Sequence, residues 1–445
     1  MAAATRVDGS AWAPLRLPLF RAFWLASLAS NFGTWIHEIG AGWLMTSLTT
    51  SPEMVSYVRT SMALPIVVLA IPAGVFADRV DRRRLLLVTQ LVMFATTATL
   101  ASLTLAGAIT PWFLLSLTFV IGLGMVLHVP TWQASMPELV PRPQLSRAVA
   151  LGSISFNLAR ALGPATGGVL IATFGVWSAF AANAISFLGV IFVLTRWRRT
   201  QTESSRGQTF RKSLTQGLWY VLHKRTMRHV LLGVALFVGP ASVLWALVPL
   251  VTRERLGWGP DGFGVLVGTI GVGAVIAAAN LSRVQRRLGS DGAVAVSMWA
   301  YAVGLAILAT FTSVVPVILA TLVMGGGWMM ALTTLNATAQ VTLPRQLRAR
   351  GMGCYLTAMA TSMAVGSLIW GRVAAMTDLP TALGIASGTL VVTGATSLRF
   401  RFERSLHDGG RPSKRVADPR PVRPRVTSGP GSRLRQTTAS RTRRI

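Results

Sequence analysis

The stretch "GVFADRVDRRRLLL", residues 74–87, carries six charged side chains in the seven positions from Asp78 to Arg84. On both sides of it lie runs about 20 residues long that are apolar all round. That is the length an α-helix needs to cross the ~30 Å hydrocarbon core of a bilayer. A surface helix of a soluble protein shows a polar face instead. The rest of the chain agrees: of its 445 residues 52% are hydrophobic and 13% are charged, and mean hydropathy is +0.53. Segments of ~10 residues with alternating polarity, the signature of a membrane β-barrel, are absent. An all-α membrane protein is expected.

Working outward from the opening stretch, twelve apolar runs read as transmembrane helices: 20–47, 53–77, 85–107, 111–135, 146–172, 175–195, 228–252, 261–281, 290–311, 313–336, 350–376 and 379–398. Arg6, Arg16 and Arg21 accompany the start of the first, which lacks a small-residue cleavage pattern and reads as a retained helix rather than a signal peptide. The single cysteine, Cys354, falls inside a run, which excludes a disulfide framework or a thiolate metal site.

A net charge of +29 would suggest a nucleic-acid partner in a soluble protein. Here the placement of the charge decides. Loops after even-numbered runs hold Arg79, Arg82, Arg83 and Arg84; Arg142 and Arg147; the basic stretch 196–228; Arg283, Arg286 and Arg287; and Arg345, Arg348 and Arg350. Loops after odd-numbered runs, such as "SLTTSPE", "AGAIT" and "MTDLP", hold almost none, with Arg253 and Arg255 the exceptions. By the positive-inside rule both termini are expected in the cytoplasm. No nucleic-acid partner is expected.

The hydrophilic segment 196–228 divides the runs six and six, and an internal repeat follows the same division. "DRVDRR" at 78–83 aligns with "SRVQRR" at 282–287, and "VPRPQLSRA" from Val140 resembles "LPRQLRARG" from Leu343. The expected organisation is an N-terminal six-helix bundle over 1–195, a cytoplasmic linker over 196–227 and a C-terminal six-helix bundle over 228–398. Residues 211–223 read as an amphipathic helix tethered to anionic lipid. The Arg-, Pro-, Ser- and Gly-rich tail, 399–445, reads as a disordered basic segment adhering to anionic lipid.

Asp78 and Asp81 are not needed for orientation by positive charge. A carboxylate here can stabilise the N-terminal end of a helix or pair with Arg82 or Arg83, and Asp78 could so act as a latch on the cytoplasmic side. Gly74, Asp78, Arg79, Arg82 and Arg83 resemble the loop motif of the major facilitator superfamily, with Asp81 standing where that motif has a glycine. Over residues 16–398 the chain is similar to the superfamily branch of bacterial siderophore exporters and macrolide efflux proteins. The likeness rests on "SNFGTWIHEIGAGWLM" (30–45), "LPIVVLAIPAG" (64–74) and "NLARALGPATGGVL" (157–170).

The resemblance implies the major facilitator fold, two pseudo-symmetric six-helix bundles, in a bacterial plasma membrane. It also implies proton-coupled export of hydrophobic drug-like compounds or siderophore-like metabolites. Gly163, Pro164, Gly167 and Gly168 resemble the fifth-span motif of the superfamily's proton-coupled exporters, although Ala150 and Ala159 replace its upstream glycines. Pro164 removes one helical hydrogen bond and the glycines allow close helix approach.

Charged groups inside membrane helices are costly and mark function. At ~1.5 Å per residue, Glu38 lies ~12 Å from the outer end of its helix, Arg59 ~9 Å and Arg160 ~18 Å. A Glu38–Arg59 pair is therefore expected, and Glu38 is the one acidic side chain placed well within a run. Three roles stay open for it: proton carrier, static ion pair, or a group at a cavity mouth. His37 and His128 read as packing residues. Trp35, Trp43, Trp132 and Trp245 read as cavity walls or interfacial anchors.

Neither a P-loop, a metal-ligand cluster nor a nucleophile constellation appears, so no enzyme activity and no cofactor are expected. The expected partners are a small-molecule substrate, protons and the lipid bilayer, with the chain a monomer. The alternative is an importer or facilitator of an anionic solute on the same fold, suited by Arg59, Arg160 and Arg372.

Overall fold

The computed structural model describes residues 10–197, 223–344 and 347–399, with the side chains of 70–79 and 348–350 outside that description. After a 3₁₀ turn at Ala13–Arg16, eleven long helices follow among the described residues. They are α1 (Pro18–Leu48), α2 (Pro52–Arg79), α3 (Arg82–Leu105), α4 (Pro111–Leu139), α5 (Leu145–Phe174), α6 (Trp177–Arg196), α7 (Arg225–Leu250), α8 (Pro260–Thr310), α9 (Val314–Thr342), α10 (Arg348–Met376) and α11 (Leu379–Ser397). Among the described residues there is no strand.

Local chemistry sets the ends. Proline opens α1, α4 and α8, where its missing N–H leaves no partner wanting. Asp81, Thr110 and Asp378 cap α3, α4 and α11 by accepting hydrogen bonds from the backbone N–H of Arg84, Phe113 and Thr381. Gly175, at φ 86°, ends α5, and Gly289, at φ 66°, breaks α8 into two arms.

The opening stretch now resolves into separate tasks. Asp81 caps α3 at 2.8 Å from the Arg84 N–H. Arg82 crosses to α4, donating to Glu138 Oε1 at 2.8 Å and to the Ala134 carbonyl at 2.9 Å. Arg83 donates to the Leu194 and Thr195 carbonyls, both at 2.9 Å, closing the last turn of α6. Arg82 and Arg83 thus reach α4 and α6; the expected pairing of either with Asp78 falls on a side chain outside the described residues. The side chains of Gly74, Asp78 and Arg79 lie outside the described residues, as do the segments 211–222 and 400–445.

Helix α1 packs on α5 and α6, α2 on α4, and α3 on α4 and α6; α7 packs on α10 and α11, and α8 on α9 and α11. Two further seams, α2 on α10 and α5 on α8, join α1–α6 to α7–α11. Large apolar side chains such as Val68, Trp112, Ile185, Val315 and Val392 remain exposed on the outside of the bundle, as a lipid-facing surface requires.

Eight helices among the described residues are long and apolar enough to cross a membrane. Of the long helices outside that set, α1 and α5 carry Glu38 and Arg160, charged side chains that lower their hydropathy.

Candidate functional site

The end of the bundle carrying the α1–α2, α5–α6 and α10–α11 turns is the upper end here. Below it, where α1, α2, α4, α7 and α8 converge, lies a cavity of about 40 Å³. Glu38 from α1 and Arg59 from α2 meet in it as an ion pair. Both are largely withdrawn from solvent, with 16% and 21% of their side chains exposed. Arg59 has a second neighbour: its Cζ lies 5.4 Å from the centre of the Trp245 ring on α7, within range of a cation–π contact. Trp245 in turn packs edge-on against Trp328 at 5.5 Å.

Several seams close the bundle above and beside this cavity. Glu53 at the start of α2 pairs with Arg372 of α10 at 2.5 Å. Arg253, just past α7, donates to Thr46 Oγ1 at 3.2 Å and Ser47 Oγ at 3.1 Å on α1. Trp43 stacks on Phe263 of α8 at 5.9 Å. A Cβ added to Gly168 would lie 2.6 Å from the Pro260 carbonyl oxygen and 2.8 Å from Gly264 Cα. The α5–α8 crossing therefore admits no side chain at that point.

The other span-five residues serve a different neighbour. A Cβ on Gly163 would lie 2.7 Å from Trp35 Cβ, and one on Gly167 3.2 Å from Ile36 Cα, so both face α1. Pro164 is buried within α5. Its carbonyl and Ala165 lie against Gly264 of α8.

Of the expected ionisable site residues, Glu38 and Arg59 are brought together. Arg160 is not joined to them, and no ion pair or hydrogen bond is described for it. Its α5 neighbours Ser153 and Asn157 are exposed.

Other residues of the site were not singled out by sequence. Trp245 was read only as a wall or an anchor, and its contact with Arg59 joins residues far apart in the chain. Arg253, noted as a topological exception, tethers α1. His37 is fully buried against Phe180 with a ring separation of 5.0 Å. It lines the same cavity, with neither ring nitrogen hydrogen-bonded. His128 is accounted for by packing and one bond: its Nδ1 lies 3.1 Å from Gln90 Nε2, and its ring stacks on Trp132.

Long apolar helices packed around a buried ion pair are the architecture of a multi-pass membrane protein. The family model described as transmembrane secretion effector matches residues 9–430, and the chain belongs to that family of major facilitator transporters. The staphyloferrin A transporter of Staphylococcus aureus is 25% identical over 60% of this chain and 68% of its own length. The multidrug efflux pump Tap of Mycolicibacterium fortuitum is 22% identical over 90% of this chain and 98% of its own. Macrolide efflux protein A of Streptococcus pyogenes is 22% identical over 53% and 59%, respectively. Among solved structures, the nucleoside transporter NupG superposes with a TM-score of 0.67 at 14% identity, covering 86% of this chain and 98% of that one. A D-xylose–proton symporter gives 0.66 at 16% identity, covering 86% and 97%. At such identities these two likenesses establish the fold alone.

Proposed function

We propose that the chain exports a hydrophobic drug-like compound or a siderophore-like metabolite in exchange for protons, by alternating access. The observation that carries this reading is the Glu38–Arg59 pair, held in a small cavity beneath a closed upper end and touching Trp245 across the seam. Ionised Glu38 holds Arg59. Protonation of the carboxyl removes that hold and leaves the guanidinium to rearrange against the tryptophan, which biases the seam between two packings. Relatives named as efflux proteins and a siderophore transporter support the direction of transport and the substrate class.

On this reading the break at Gly289 makes α8 two spans, for twelve in all. Helices of 1–195 and of 228–398 form two six-helix bundles, linked by 196–227 and followed by the basic tail 399–445. The arginine-rich loops support a lower end and both termini in the cytoplasm of a bacterial cell, with the chain working as a monomer in the plasma membrane. The 40 Å³ cavity is far below the ~300–1000 Å³ of small-molecule sites. Substrate therefore binds only once the helices around it separate, entering from the lower side. Gly74, Asp78, Arg79, Arg82 and Arg83 then form the lower gate loop.

A second reading takes Arg160 as its starting point. An arginine deep in α5 without a described partner suits an anionic solute, carried inward on the same fold. Labelled macrolide and siderophore panels distinguish the two. Accumulation in inverted vesicles under an imposed pH gradient supports export, and uptake by intact cells without vesicle accumulation supports the importer.

A further inference from the structure

The cavity that holds the Glu38–Arg59 pair also concentrates unsatisfied polar atoms. Among the described residues nine buried side-chain nitrogens and oxygens have no hydrogen-bond partner. Four of the nine belong to residues that line this one cavity: both ring nitrogens of His37, Thr118 Oγ1 and Trp245 Nε1. His37 is wholly withdrawn from solvent, and Thr118 is 1% exposed. A buried polar atom left without a partner costs about 1–3 kcal/mol, so four in one place require an occupant.

The space fits that requirement. One water needs about 10–15 Å³ of such volume and two to four polar partners, so 40 Å³ holds two or three. The lining supplies donors from Trp245 and Arg59, acceptors from Glu38, and both functions from Thr118 and His37. The titratable or charged groups that face this space are Glu38 and His37 of α1 and Arg59 of α2. Helices α4, α7 and α8 contribute Thr118, Trp245, Ala246, Val248, Pro249, Phe263 and Val267, and Phe180 of α6 packs edge-on with the imidazole.

We propose that this cavity is a buried hydration site in which two or three waters join the Glu38 carboxyl to His37, and that His37 is a second proton-carrying group of the coupling site. The inference rests on the proton-coupled reading of Glu38 for its second half and on cavity geometry alone for its first. The step balances without any redox partner. The Glu38 O–H gives its proton to a water as that water protonates the lone-pair nitrogen of His37. The N–H on the opposite side of the ring then releases its proton to the next water, and the imidazole returns to neutral. Neither ring nitrogen is tied up by a protein partner, which is what two-sided transfer needs.

The test uses the full chain, ¹⁵N-histidine labelled and reconstituted in lipid vesicles, with His37→Phe assigning the His37 resonances. The expected result is magnetisation transfer from water to both His37 ring nitrogens. A dry imidazole overturns the hydration site, whatever Glu38 does. In the same vesicles, proton release on adding a transported compound is expected to fall about tenfold or more in both His37→Phe and His37→Gln. Normal release by His37→Phe, or rescue by His37→Gln, which hydrogen-bonds water but carries no proton, overturns the proton-carrying role. A wet His37 with no proton release from wild type sinks both the coupling reading and that role, leaving only a water site.

Discussion

Arg59 on α2 lies with its guanidinium carbon 5.4 Å from the centre of the Trp245 ring on α7, while the same guanidinium pairs with Glu38 on α1. One cation thus ties its own side of the molecule to the opposite one. A cation–π contact contributes roughly 0.5–2 kcal/mol, according to how far it is desolvated. Trp245→Leu is therefore expected to shift the balance toward the upper-open form by about two- to thirtyfold. Because Cys354 is the single native cysteine, Met62→Cys in a Cys354→Ser background gives one reporter at the cavity wall. Its labelling by an impermeant thiol reagent from outside should rise with Trp245→Leu. Unchanged labelling assigns Trp245 to packing alone.

The Glu53–Arg372 pair bridges α2 and α10 near the upper end, with 68% of the Arg372 side chain exposed. Exposed pairs contribute little and are screened by salt. Glu53→Gln should therefore raise the same labelling only a few-fold, and less at high ionic strength. The double exchange Glu53→Arg with Arg372→Glu should restore it. A loss of transport as severe as that of a cavity variant contradicts this assignment.

At the α5–α8 crossing the constraint is steric. A methyl at Gly168 meets a carbonyl oxygen at 2.6 Å and a Cα at 2.8 Å, both backbone and both unable to move aside like a side-chain tip. Gly168→Ala is expected to keep a monodisperse size-exclusion profile and lose transport more than tenfold, since the upper end no longer closes. Normal transport by this variant means that α5 and α8 need not approach so closely.

Asp378, in the turn between α10 and α11, accepts a hydrogen bond from the Thr381 N–H at 2.7 Å. That bond holds its carboxyl below the ordinary value of 3.8. The folded-state pKa is lowered, so the stabilisation is fully present above the unfolded-state value and is lost as pH falls through the folded one. Wild-type thermal stability in detergent should accordingly decline below about pH 4 more steeply than that of Asp378→Asn, which caps the helix without titrating. Parallel curves for the two remove Asp378 from the acid response.

Much of this architecture was legible as hydropathy. The run 20–47 became Pro18–Leu48, and 379–398 became Leu379–Ser397. Hydropathy reports depth in lipid, however, and not where a helix stops. Helix α8 continues through Arg283, Arg286 and Arg287 because arginine is a good helix former, and it breaks only where Gly289 takes a positive φ. Asp81 was legible too, an aspartate immediately before a helix, and a carboxylate stabilising a helix N-terminus takes the form of the α3 cap.

Two members of the site had weaker signals. The depth arithmetic brought Glu38 to Arg59 because both lie on consecutive helices. Trp245 comes from the far side of the molecule, and no local pattern encodes that contact. His37 sits one position from Glu38 and points elsewhere on the helix. Its significance lies in two ring nitrogens left without partners beside a cavity, which only tertiary packing reveals.

The most direct test of the central claim compares wild type with Glu38→Gln in inverted membrane vesicles holding an imposed pH gradient, challenged with hydrophobic drugs and siderophores. The account predicts that at least one compound collapses the gradient through wild type and that the same compound fails to do so through Glu38→Gln. Equal collapse through both proteins contradicts it and makes the Glu38–Arg59 pair a structural tie.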